Sequence, residues 1–162
     1  MEKLVYIWLN DDYQAIIDAE DYDLIAPYYW YPSIRRYKDT YKCYAVALHK
    51  KKLVSIHRLL MAHPSKPEVD HINGDSLDNR RCNLRPATRE ENARNVGVRR
   101  DNLTGYKGVT PLNGGYAARI EVNKAPFMIG VYTTAIEAAK AYDSVARKVH
   151  KEFCRLNFPD DP

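Results

Sequence analysis

At 162 residues the chain can form one medium or two small units, so a reaction centre has to be assembled from short supersecondary pieces, not enclosed in a large cavity. A net charge of +4, no stretch as long as a membrane span and no leader-like start exclude a membrane-embedded or secreted protein and lead us to expect a soluble intracellular one. Cys43, Cys82 and Cys154 are odd in number and too widely spaced for a disulfide framework or a four-ligand zinc knot, so reduced, mostly buried thiols are expected.

Residues 1–50 carry 6 basic and 8 acidic side chains and read as a small β-rich region. Residues 4–9 are a strand-like run, residues 20–26 suit a short helix stopped by Pro27, and residues 40–46 alternate with period two. The stretch Tyr28, Tyr29, Trp30 and Tyr31, closed by Pro32, is either an aromatic core element or a base-stacking surface.

Residues 51–100 are the electropositive part, with 11 basic against 6 acidic side chains. Arginines 80, 81, 85, 89, 94, 99 and 100 face only Glu90 and Glu91 in the same stretch, which is either a solvated face or a surface for phosphates. Residues 54–62 fit a short amphipathic helix ending near His63.

The informative segment is residues 69–92. Asn73, Gly74 and Asp75 signal a turn, and residues 76–81 read as a wide loop held by side-chain to backbone hydrogen bonds from Asp78 and Asn79. Asp70 and His71 would then end one strand, and Asn83, Leu84 and Arg85 would begin the return. Thr88 with Glu91 is a capping box, which starts a helix at about residue 89 and puts Asn92 in its first turns. A helix folded back on that hairpin would bring the Asn92 amide oxygen toward the Asp70 carboxylate, two hard ligands suited to a divalent ion. His71 would sit beside it with an imidazole able to take a proton.

This arrangement, carried by Asp70-His71, Asn79, Asn83-Leu84 and Asn92 with His57-Arg58-Leu59 upstream, resembles the ββα-metal unit of HNH nucleases of phage and homing type, over about 40 residues. The resemblance implies His71 as the general base and Asn83, with Asn79, as the loop tie that orients it. It implies Asp70 and Asn92 as ligands of one divalent ion per active site, Mg²⁺ or Mn²⁺. The third motif position is asparagine, Asn92, in place of histidine. His57 and Arg58 are either DNA contacts or structural, and His63 reads as a helix-end residue and not a ligand. His150 lies outside the centre.

Beyond residue 105, residues 105–109, 116–122 and 127–132 read as three strands with turns at 113–115 and 123–126. Thr134 and Glu137 cap a helix whose Ile136, Ala139, Tyr142, Val145, Ala146 and Val149 recur at helical spacing, with small Ala138 and Ala141 allowing close approach. The run Tyr116-Ala-Ala-x-Ile, Ile129-Gly-x-Tyr, Glu137-Ala-Ala-x-Ala-Tyr-Asp and Arg155-Leu-Asn-Phe-Pro resembles the apetala-two, or ethylene-response-factor, DNA-binding domain over about 55 residues. That resemblance implies a sheet in the major groove and places Lys107, Thr110 and Arg119 on DNA, with Tyr116 able to go either way. Glu121 and Met128 stand where that family carries reading residues, so the docking mode is better supported than a target sequence.

The expected fold class is α+β. A β-rich region (1–50) precedes a ββα-metal nuclease core (51–96), a linker (97–105) and a three-stranded antiparallel sheet packed on one helix (106–159). The function expected is a metal-dependent DNA endonuclease of phage or homing type, monomeric or homodimeric, acting on double-stranded DNA in a bacterial or phage-infected host cytoplasm. Its phosphate contacts would include Arg58, Arg80, Arg81, Arg85 and Arg94. The alternatives are a catalytically inactive sequence-specific DNA-binding or regulatory protein and an RNA-processing nuclease.

Overall fold

In the computed structural model, which describes residues 3–37, 40–62 and 65–161, the chain opens with an antiparallel hairpin of Leu4–Trp8 (β1) and Gln14–Asp18 (β2). The Asn10 side chain accepts from the Asp12 and Tyr13 N–H groups and sets the turn. Alternation along β2 buries Ala15 and Ile17. A short helix, Tyr22–Ile25 (α1), stops before Pro27, and the indole of Trp30 donates to the Ile25 carbonyl. Trp30 is buried in the core while Tyr29 is 86% exposed, so the aromatic run divides between interior and surface.

Tyr31–Tyr37 (β3), Thr40–His49 (β4) and Lys52–Ser55 (β5) form one antiparallel sheet in that order. Pro32 does not close a segment as its sequence position suggests; it lies within β3, an edge strand, where a missing N–H is tolerated. Residue 50 lies at the tip of the β4–β5 hairpin, whose Lys50 and Lys51 both take positive φ, 47° and 65°. The following helix is a single turn, Ile56–Leu60 (α2), shorter than expected because residues 52–55 are spent on β5. His63 lies outside the described residues.

Glu68–His71 (β6) and Leu84–Ala87 (β7) make a two-stranded antiparallel ladder, and Arg89–Arg94 (α3) follows β7. One core serves the hairpin, the three-stranded sheet and this ladder: Ala15, Ile17, Ile25, Trp30, Ala45, Ile56, Leu60, Val69 and Leu84 are all in it. Each large apolar side chain there contributes roughly 1.5–3 kcal/mol by leaving water. The N-terminal residues are thus part of one folding unit with the β6–β7 ladder, and the chain divides into units 1–92 and 93–162.

In the second unit, Val109–Leu112 (β8), Gly115–Val122 (β9) and Ala125–Tyr132 (β10) form an antiparallel sheet with β9 central, packed on the helix Ala135–His150 (α4). The first strand begins at Val109, not at residue 105, because Gly105 and Gly108 take positive φ and turn the chain there. At Gly108 a Cβ would stand 2.1 Å from the Tyr142 ring, so only glycine fits. The Thr134–Glu137 capping box is formed in full. The buried face of α4 is Ala138, Ala139, Tyr142 and Ala146, whereas Ile136 and Val149 are exposed, because the small alanines let the helix settle closer to the sheet on that side.

Cys43 is buried, Cys154 is half-buried and Cys82 is exposed, so burial of the thiols holds for one of the three. Among the described residues no helix is long and apolar enough to cross a membrane.

Candidate functional site

The site is built on the β6–β7 ladder. Its register sets Asp70 opposite Arg85 and His71 opposite Leu84. Asp70, 3% exposed, would be costly as a lone buried carboxylate. Arg85 answers it across the strands, its Nε at 2.9 Å and Nη2 at 2.6 Å from Oδ2.

His71 is 7% exposed, and its Nε2 lies 3.5 Å from Asn79 Oδ1, at the outer limit of a hydrogen bond. The His57 ring stands edge-on to it at 5.1 Å between centroids, and Tyr44 is 6.4 Å away. Burial lowers the His71 pKa below 6.5, opposed by the Asn79 contact. Burial, and then the neighbouring His71, Arg58 and Arg35, push His57 down to about 3. Both imidazoles are therefore neutral at pH 7.

The loop from 72 to 83 is held by a dense set of amide contacts. Asn83 Nδ2 donates to Asn73 Oδ1 (3.0 Å) and to the Asp78 carbonyl (2.7 Å), and Asn83 Oδ1 accepts from the Asn73 N–H (2.9 Å). Asn73 Nδ2 donates to Asp78 Oδ2, and Asn79 Nδ2 to the Leu77 carbonyl. The N-terminal region buttresses this loop from behind. The Ile16 N–H donates to Leu77 O, the Asn79 N–H to Ile16 O, and Ser76 Oγ to Cys43 O. Arg81 adds an ion pair to buried Asp21.

The Thr88–Glu91 capping box forms as the spacing suggests, and Lys66 Nζ sits 2.7 Å from both Glu91 oxygens. Asn92, in α3, donates Nδ2 to Glu68 Oε2 at 2.7 Å, which leaves its Oδ1 as an acceptor for other groups. A groove of about 400 Å³ opens beside these residues and is lined by Ser33, Arg35, His57, Arg58, Glu68 and Asn92 among others.

Among the described residues no three of His, Cys, Asp and Glu cluster to hold a metal. Beside the His71 imidazole, β6 carries the Asp70 and Glu68 carboxylates and α3 the Asn92 amide, which are oxygen donors. That set fits a hard divalent ion whose remaining positions are filled by water or phosphate, with Arg85 competing for Asp70.

The phosphate contacts anticipated from the arginine-rich stretch divide in two. Arg80, Arg81 and Arg85 are each ion-paired with a buried carboxylate, Asp78, Asp21 and Asp70. Arg58 is exposed on α2. In the second unit, Lys107 Nζ donates to the carbonyls of Arg94 and Val96, and burial pushes its pKa down to about 8, so a phosphate would have to compete for it. Thr110 and Arg119 are exposed on β8 and β9. Sequence reasoning missed Glu68, Arg35 and the Asp70–Arg85 pair. Strand periodicity was the available signal for the first, since Glu68 and Asp70 lie two apart on β6 and share a face.

Residues 61–94 match a family model described as HNH endonuclease. The chain is also 28% identical over 145 residues to an uncharacterized HNH endonuclease of Acanthamoeba polyphaga mimivirus, covering 88% of this chain and 74% of that relative. No solved structure matches the chain. The segment matched as an HNH endonuclease domain contains β6, the tied loop, β7 and α3.

Proposed function

We propose that the chain is a metal-dependent DNA endonuclease of phage or homing type in which β6, β7 and α3 serve as the ββα-metal unit and residues 106–159 as an apetala-two-like reader of double-stranded DNA. The observation that carries the reading is His71, a buried neutral imidazole next to Asp70 at the end of β6, with Asn79 on its Nε2. The relationship to an HNH endonuclease of a virus agrees with it.

Asn79 Oδ1 can only accept, so its contact selects the tautomer with hydrogen on Nε2 and makes Nδ1 the basic nitrogen. His71 then removes a proton from a water attacking a DNA phosphodiester, and the phosphorus to 3′-oxygen bond breaks as the new bond forms. A divalent ion, Mg²⁺ or Mn²⁺, held by Asp70 and Asn92 would supply charge stabilisation for the phosphate and the departing oxygen. Asn83 acts on this chemistry only through the loop: its three hydrogen bonds fix the chain that carries Asn79. Glu68 orients the Asn92 amide so that its oxygen, not its nitrogen, is presented.

Thr110 and Arg119, exposed on the sheet of the second unit, are the side chains offered to bases or phosphates there. One centre per chain cuts one strand, so a monomer nicks and a pair of chains is required for a double-strand break. Conversion of supercoiled plasmid to nicked or linear form in Mg²⁺ or Mn²⁺, and its absence in EDTA, tests the activity. The competing reading, a DNA-binding protein that does not cut, draws on the Asp70–Arg85 pair, which already neutralises the main candidate ligand. A chain that binds duplex DNA and never cleaves it in either metal would favour that reading.

A further inference from the structure

Five arginines of the first unit behave in two ways. Arg80, Arg81 and Arg85 each fork onto an aspartate whose side chain is about 95% buried, so none can turn to a ligand without stranding a negative charge in the interior. Arg35 and Arg58 are different. Both are exposed, neither takes part in an ion pair among the described residues, and both line the groove that also contains His57, Glu68 and Asn92.

Arg35 projects from β3 with its guanidinium 5.6 Å from the centre of the Tyr44 ring, which supports the planar group without consuming its N–H donors. Its cross-strand neighbour is Lys42, so a third cation stands at the same register of the sheet. Among the described residues Glu68 is the one carboxylate lining the groove, and it accepts a hydrogen bond from the Asn92 amide. The groove therefore carries two guanidinium groups against one carboxylate and reaches Asn92, one of the residues proposed for the reaction.

We propose that Arg35 and Arg58 form a docking subsite for the DNA sugar-phosphate backbone, seating phosphates that flank the one placed at His71. The proposal rests on the endonuclease reading and extends it: the β3–β5 sheet and α2 bind the substrate, and the arginines nearest the catalytic loop are structural. Guanidinium forks suit phosphate oxygens, and contacts of this kind carry no sequence information.

The test is equilibrium binding of the full-length chain to a duplex DNA in EDTA, followed by fluorescence anisotropy across a salt series. Each phosphate neutralised contributes about 0.9 to the slope of log K against log salt. The double substitution Arg35→Gln with Arg58→Gln should make that slope shallower by about 2, equally for unrelated duplexes. Arg58→Gln alone, on an exposed helix surface, should make it shallower by about 1. Lysine at both positions should restore most of it. A folded double variant with the wild-type slope overturns the proposal, as does wild type that fails to bind duplex DNA. Because no metal is present, the result separates from cleavage. A chain that cuts but keeps its slope on substitution loses the subsite only, and a chain that loses slope but never cuts loses the nuclease only.

Discussion

Asp70 and Arg85 face each other across the β6–β7 ladder, and the Arg85 Nε and Nη2 contacts, 2.9 and 2.6 Å, fall on the same oxygen, Asp70 Oδ2. The pair is nearly dry, so removing the arginine strands a charge instead of deleting a surface contact. Arg85→Gln should cost roughly 3–5 kcal/mol in EDTA, the usual range for breaking a buried pair. Mg²⁺ or Mn²⁺ should raise the Tm of Arg85→Gln more than that of wild type, since the cation then meets Asp70 without a competitor. Thermal melts of both proteins with and without metal check this; equal metal shifts would remove Asp70 from the list of ligands.

Burial lowers the pKa of His71 below the ordinary 6.5 and holds His57 at about 3. A base with a lowered pKa is mostly deprotonated at neutral pH, so the midpoint at which the cleavage rate falls with acidification should lie below 6.5, which a pH–rate profile measures. The stability effect has the same direction. Between pH 6.5 and 3 the unfolded chain binds the His57 proton and the folded chain does not, so stability declines as pH falls through that window. His57→Gln should flatten the decline between pH 6.5 and about 5, before the carboxylates titrate, in urea titrations at several pH values.

The Asn83 amide makes three hydrogen bonds inside the loop. Asn83→Ala leaves the carbonyl of buried Asp78 without its donor and frees the Asn73 side chain, and should destabilise the first unit by roughly 1–3 kcal/mol. Amide exchange should speed up across residues 72–83 more than in β6 or β7, which hydrogen-exchange mass spectrometry resolves. Uniform acceleration throughout the unit would mean that Asn83 is a general core residue and not a loop tie.

A Cβ at residue 108 would lie 2.1 Å from the Tyr142 ring and 2.7 Å from the Arg119 carbonyl, at a φ of +75°. Gly108→Ala should therefore destabilise the second unit by roughly 2 kcal/mol or more. The melt should become biphasic, with the transition of residues 1–92 unmoved. A single unshifted transition would contradict the close approach of α4 to the start of β8.

What was legible in the sequence was local chemistry. Thr88 with Glu91 and Thr134 with Glu137 are three residues apart, and both form the expected capping boxes. The turn signal at Asn73-Gly74 and the return near Leu84 gave the β6–β7 ladder its approximate register. What the sequence concealed was partner choice over distance. Arg81 pairs with Asp21, 60 residues away, and Arg85 with Asp70 across the ladder, so the arginine-rich run reads as a phosphate surface although only Arg80 has its aspartate, Asp78, close by in sequence. The exposed face of α4 was misread at Ile136 and Val149 because helical spacing alone does not say which of two adjacent stripes the sheet will cover. The strand β3, with Pro32 and two arginines, has little period-two signal, so its groove and Arg35 could not be foreseen.

The most direct measurement of the central claim is cleavage of supercoiled plasmid by wild type and His71→Ala in Mg²⁺ and Mn²⁺, with circular dichroism to show that the variant is folded. The account predicts metal-dependent nicking or linearisation by wild type, suppressed by EDTA and lost in His71→Ala. Cleavage that persists in folded His71→Ala would contradict the assignment of the base, and wild type that binds DNA but cuts no sequence in either metal would contradict the enzyme.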